Sequence, residues 1–132
     1  MGTDNDSQNR ILAAGNSFVL GIKPDGTVYA DGRDNEGQVS GTSDWTDIVV
    51  VSCGWEHSAG LKSDGTVVAC GLDDHGQVSG VSGWTDIIGI SCGNTSTVGI
   101  KSDGTVVACG EDVHGDTKQA ADCANNSGWS NI

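Results

Sequence analysis

The stretch His57-Ser58-Ala59-Gly60-Leu61-Lys62, followed by Ser63-Asp64-Gly65 and then Thr66-Val67-Val68-Ala69, reads as two strands joined by a tight turn. Gly65 supplies the positive φ that a short hairpin needs. Upstream, Trp45-Thr46-Asp47-Ile48 leads into Val49-Val50-Val51-Ser52-Cys53, an apolar, β-branched run ended by Gly54, the pattern of a buried strand. Downstream, Gly71 closes the third strand, a polar loop runs from Leu72 to Gly76, and Gln77-Val78-Ser79-Gly80 reads as a short outer strand. The turn recurs as Asp25-Gly26-Thr27, Asp64-Gly65-Thr66 and Asp103-Gly104-Thr105, at intervals of 39 residues. Around it Gly15, Gly54 and Gly93 fall into register, as do Gly32, Gly71 and Gly110. Four strands in a unit of this length predict a β-propeller blade, for which ~40 residues is the usual size. The fold class expected is therefore all-β, with three 39-residue repeats. Helical repeats are excluded because no stretch keeps a 3.6-residue apolar period, and a β-helix has no use for a hairpin turn in every copy.

Bulk properties agree. The 132 residues include 21 glycines and one proline, as many short strands and tight turns require. A net charge of −12 disfavours a phosphate-binding groove, so no nucleic-acid partner is expected. No segment approaches the ~20 apolar residues of a membrane span. Residues 1–9 are polar and read as a disordered leader, with repeats expected at about 10–47, 48–86 and 87–132. Of five cysteines, Cys53 and Cys92 share one repeat position and Cys70 and Cys109 another. They read as small buried thiols; a Cys109–Cys123 disulfide is the alternative for that pair. No cysteine–histidine spacing suits zinc, and neither a metal nor a cofactor is expected.

The pattern carried by Val51, Gly54, His57, Leu61, Asp64-Gly65, Val67, Gly71 and Gly76-Gln77 resembles the regulator-of-chromosome-condensation repeat. With its Trp-Thr-Asp-Ile linkers it is similar to the bacterial branch, which includes a propeller-type β-lactamase inhibitor protein. The resemblance runs from about Ile11 to Ile132 and implies a propeller that binds other proteins on one rim. Guanine-nucleotide exchange is also known in the family, but a fold alone transfers no site. The chain departs from the pattern in having three repeats and in keeping the histidine only at His57, where the other copies have Phe18 and Ser96.

Trp45 and Trp84 are 39 apart and Trp129 follows 45 later, so the third copy carries six extra residues (45 − 39). All three tryptophans are expected to pack between blades. Trp129-Ser130-Asn131-Ile132 resumes the linker, while the strand that should follow it is found at Ile11-Leu12-Ala13-Ala14. Known propellers have roughly 4–8 sheets. An arc of three would bare apolar flanks, and covering ~400 Å² at each is worth on the order of 10 kcal/mol per joint before association costs. The expectation is head-to-tail closure between identical chains through Ile11, Leu12, Trp129 and Ile132. Two chains give six blades, the favoured count, and three give nine.

Comparing the copies separates scaffold from surface. Loops that differ follow the first strand (Asn16-Ser17-Phe18, Trp55-Glu56-His57, Asn94-Thr95-Ser96) and the third (Arg33 to Glu36, Leu72 to His75, Glu111 to His114). Alternating strand direction puts both sets on one rim, the usual place for recognition in repeat proteins. The binding candidates are Trp55, Glu56, His57, Phe18, Asp73, Asp74, His75 and His114, with Trp55 the sharpest because its equivalents are Asn16 and Asn94. The three histidines lie in no metal-ligand spacing, and no serine sits in a nucleophile elbow. The chain is expected to be a non-catalytic protein-binding scaffold. The alternatives are an inhibitor of an extracellular enzyme such as a β-lactamase, or an engineered or evolutionary propeller fragment without a ligand.

Overall fold

The computed structural model describes residues 11–111. Nine strands form three antiparallel sheets, one per repeat. They are β1 (Leu12–Ala14), β2 (Phe18–Ile22) and β3 (Val28–Gly32); β4 (Ile48–Cys53), β5 (His57–Lys62) and β6 (Val67–Gly71); and β7 (Ile87–Cys92), β8 (Ser96–Lys101) and β9 (Val106–Gly110). Within each sheet the chain meanders, so the middle strand pairs with both neighbours; Leu61, for example, lies opposite Val50 on one side and Val67 on the other.

The Asp-Gly-Thr turn is held by its own side chains. Asp64 Oδ1 accepts from the Thr66 N–H at 3.0 Å and from the Thr66 hydroxyl at 2.6 Å, and Asp25 and Asp103 do the same in their repeats. Gly65 at φ 87° completes the reversal.

The expected fourth strand is absent from the described repeats. Residues Ser40–Thr42 and Ser79–Val81 form single 3-10 turns instead. The cause is local: Asp34 Oδ1 takes the N–H groups of Val39 and Ser40 at 2.9 and 2.8 Å, and Asp73 takes those of Val78 and Ser79. With Gly41 and Gly80 donating back to Gly37 and Gly76, these N–H groups are not available for a sheet edge. The blades described are thus three-stranded, the first two each followed by a coiled linker.

That linker covers the next sheet. Trp45 and Ile48 pack with Leu20 of the first sheet and Val51 of the second, flanked by Ala13, Ile22, Val68 and Cys70. One repeat later Val81 and Ile87 join Leu61, Val67, Trp84, Ile90, Val107 and Cys109. The tryptophan lies on a glycine each time: a Cβ on Gly60 would come within 3.0 Å of the Trp45 ring, and one on Gly99 within 3.1 Å of Trp84. Trp45 and Trp84 therefore do pack between blades; Trp129 and Ile132 lie outside the described residues.

Candidate functional site

The loops after β1, β4 and β7 share one rim with those after β3 and β6 and with Glu111, the residue that follows β9. They are tied pairwise by backbone bonds from Arg33 N to Ser17 O, from Leu72 N to Glu56 O and from Glu111 N to Thr95 O. Adjacent repeats are tied by a second ladder. Asn16 N donates to Trp55 O at 3.3 Å, and Trp55 N donates to Asn94 O at 3.0 Å. Trp55 thus has its backbone clamped on both sides while its side chain is 57% exposed. Beside it Glu56 pairs with Arg33 of the preceding repeat at 3.4 Å. The next junction has His75 between Asp74 at 2.9 Å and Glu111 at 3.7 Å, and Glu111 also accepts from the Thr95 hydroxyl. The rim therefore presents one rigidly mounted indole and two polar bridges across repeat junctions.

Two of the expected rim residues are not surface groups. Phe18 and His57 are the first residues of β2 and β5 and point inward, 2% and 0% exposed. Each ring lies flat on the preceding glycine, so that a Cβ on Gly15 or Gly54 would collide with it. His57 is an inter-repeat strut. Thr97 gives its own hydroxyl proton to the Gln77 carbonyl at 2.8 Å, so it accepts from His57 Nε2–H at 3.0 Å, with the Ser96 carbonyl 3.2 Å away. Nδ1 has no protein partner, so the ring is held neutral. Burial pushes its pKa below 6.5, against smaller opposing pulls from the Ser96 carbonyl and Asp73. Asp73 is exposed, and its Oδ1 accepts from the N–H groups of Val78 and Ser79, capping its loop. Asp74 accepts from the Gln77 amide as well as pairing with His75. His114 lies outside the described residues. Trp55, Glu56, Asp74 and His75 are brought to one rim.

A pair of residues that sequence placed in the repeat pattern but not among the site residues ties the repeats together. Gln38 and Gln77 are fully buried. The Gln38 carbonyl accepts from Ser58 Oγ at 2.8 Å and from Cys70 Sγ at 3.6 Å; Gln77 accepts from Thr97 and from Cys109 Sγ at 3.7 Å. The signal was the Gly-Gln dipeptide at 37–38 and 76–77, 39 residues apart. Cys53, Cys70, Cys92 and Cys109 are free and half-buried. Burial pushes the Cys70 thiol up to about 12 and that of Cys109 to about 11, so each serves as a hydrogen-bond donor and not as a nucleophile. Among the described residues no three His, Cys, Asp or Glu side chains gather as metal ligands.

Residues 48–77 and 87–116 each match the Regulator of chromosome condensation (RCC1) repeat. Comparison with curated proteins gave no significant match. Among solved structures the chain is similar to yeast RCC1 (Prp20) bound to Kap60, at 20% identity and a TM-score of 0.64, over 75% of this chain and 29% of that one. It is similar too to Prp20p from Saccharomyces cerevisiae, a protein with binding properties to Gsp1p and histones, at 20% identity and 0.60, over 75% and 30%. The CRINKLY ectodomain of the Arabidopsis thaliana receptor kinase ACR4 aligns at 18% identity and 0.63, over 77% and 42%. The chain spans about a third of the length of these structures. Its three sheets are similar in fold to part of these β-propellers, and two of its segments match the RCC1 repeat.

Proposed function

We propose that this chain is a non-catalytic, protein-binding β-propeller scaffold that joins further copies of itself into a closed ring. The observation that carries the binding role is Trp55: an indole 57% exposed on a backbone clamped between Asn16 and Asn94, where the scaffold elsewhere uses asparagine. A large aromatic held without loop entropy is the kind of anchor that dominates protein interfaces. Arg33–Glu56 and the His75 bridge surround it with a polar rim. The structural relatives named above with Kap60, Gsp1p and histones are protein binders of the same fold. The ring reading draws on the apolar flank of the first sheet, where Leu12, Val19 and Tyr29 are 68%, 46% and 54% exposed. Two chains with six blades is the favoured closure, three with nine the other.

Two measurements test this. Native mass spectrometry is expected to give an integral multiple of the chain mass, and a single-chain mass at every concentration refutes ring closure. Affinity capture followed by reconstitution with the purified partner is expected to give a complex lost on Trp55→Ala. A complex indifferent to Trp55, Glu56 and His75 refutes the rim as the binding surface. The same exposed indole favours a second reading, inhibition of an extracellular enzyme such as a β-lactamase. Its mark is tight inhibition abolished by Trp55→Ala.

A further inference from the structure

Gly21 has no purpose within its own repeat. Its equivalents Gly60 and Gly99 must lack a side chain because the linker tryptophan of the preceding repeat lies on them, at 3.0 and 3.1 Å from the place of a Cβ. A Cβ on Gly21 would meet only Leu12 at an ordinary 3.4 Å and the Ile11 carbonyl at 3.8 Å, and its backbone is not left-handed. Around it Leu12, Val19 and Tyr29 form an exposed apolar face. Their counterparts Val51, Ser58 and Val68 are covered by the first linker and the first sheet. The position is therefore a tryptophan seat with no tryptophan on it among the described residues.

Deepening the ring reading, on which it rests, we infer that this seat receives Trp129 of a second copy. Sheet and linker rules both support that occupant. Each described linker leaves its sheet and covers the sheet that follows, never the one before it. Trp129-Ser130-Asn131-Ile132 matches Trp84-Thr85-Asp86-Ile87 in sequence, and it is the one linker motif not already placed on a sheet. Val98, Ile100 and Ala108 hold in the third sheet the positions that Leu20, Ile22 and Ala30 hold in the first, where they face a neighbouring blade. A second copy thus supplies both the sheet and the linker that the bare face needs. By the same step the rim ladder, Asn16 to Trp55 to Asn94, continues from the Asn94 N–H to the Asn16 carbonyl of the next chain.

The socket also differs from the joints within the chain in a way that sets its strength. Inside the chain a hydroxyl and a thiol donate to the linker's Gln carbonyl (Ser58 with Cys70, Thr97 with Cys109). At the first sheet these positions are Val19 and Asp31, neither of which can donate to a linker's backbone carbonyl. The joint between chains lacks the polar clasp of the joints within a chain, so it is the weaker one and opens reversibly on dilution.

Sedimentation equilibrium of the full chain tests this through variants whose effects run in opposite directions. Gly21→Val adds a side chain that the isolated sheet tolerates. It is expected to leave the melting of the dilute chain unchanged and to weaken association at least tenfold; Trp129→Ala is expected to do the same. Val19→Thr with Asp31→Cys restores the two donors and is expected to tighten association by roughly fivefold or more, the worth of one neutral hydrogen bond. Misfolding cannot produce that gain. Association that persists unchanged in both Gly21→Val and Trp129→Ala overturns the socket but leaves ring closure standing. A single-chain mass throughout overturns ring closure itself. A single-chain mass in which Gly21→Val exposes Trp129 overturns the second copy in favour of the chain's own tail.

Discussion

Trp45 and Trp55 are ten residues apart and chemically identical, yet their environments predict opposite consequences of truncation. Trp45 is 6% exposed and lies on Gly60 between the first two sheets, packed with Leu20, Ile48 and Val51. Burying a tryptophan removes ~200 Å² from water, which at ~25 cal/mol per Å² is worth about 5 kcal/mol. Mutational series place Trp→Ala in a core at about 3–5 kcal/mol. Because stability in a repeat array is roughly a sum of repeat and nearest-neighbour terms, the whole of this loss falls on the junction between the first two repeats. Trp55, more than half in solvent, is expected to cost no more than about 0.5 kcal/mol on truncation, as for an ordinary surface site. Urea unfolding followed by circular dichroism, at concentrations where each variant has the same association state, reads both. Trp45→Ala is expected to unfold at the first two repeats before the third. Equal midpoints for Trp45→Ala and Trp55→Ala would refute the assignment of one to packing and the other to the rim.

Three more outcomes follow from the buried polar groups and the close approach at glycine. His57 is held neutral with its pKa below 6.5, so folding is favoured above that value and loses stability as pH falls from 6.5 toward the folded pKa, levelling off below it. His57→Phe, the residue that Phe18 already uses at this position, is expected to remove that part of the pH dependence; an unchanged slope between wild type and variant counts against the strut. Ser58→Ala strips the hydroxyl from the Gln38 carbonyl and leaves only the long thiol contact, at an expected cost of about 1–3 kcal/mol in urea unfolding. A cost near zero would mean the clasp is not a stabilising contact. Gly60→Ala is expected to destabilise by about 1–3 kcal/mol through overpacking against Trp45, whereas Gly21→Ala in dilute solution is neutral or slightly stabilising. Equal effects would contradict the difference in cover between the two sheets.

The sequence read alone determined whatever depends on a few neighbouring residues. Asp64-Gly65-Thr66 names its turn because the carboxylate, the positive φ and the hydroxyl all act within three positions. Strand β5 was legible to the residue, and β4 to within one residue at its start, from β-branched content and the glycine stop at Gly54. The 39-residue interval pointed to three units, and three antiparallel sheets are found among the described residues. Among the site residues, Trp55 was legible because it interrupts a pattern of asparagines.

Tertiary structure alone decided the rest, because it turns on which backbone groups and faces are already occupied. Gln77–Gly80 has strand-like composition, but Asp73 and the Gly76 carbonyl claim its N–H groups first and make it a 3-10 turn. Phe18 and His57 belong in sequence to loops that differ between copies, yet their rings turn inward and fill the space that Gly15 and Gly54 leave empty. The repeat also hides a difference that only packing reveals. Gly21, Gly60 and Gly99 are the same letter in the same place, and two of them carry an indole while the third faces solvent among Leu12, Val19 and Tyr29. A local sequence specifies a surface; whether that surface is covered depends on chain segments brought to it from a distance.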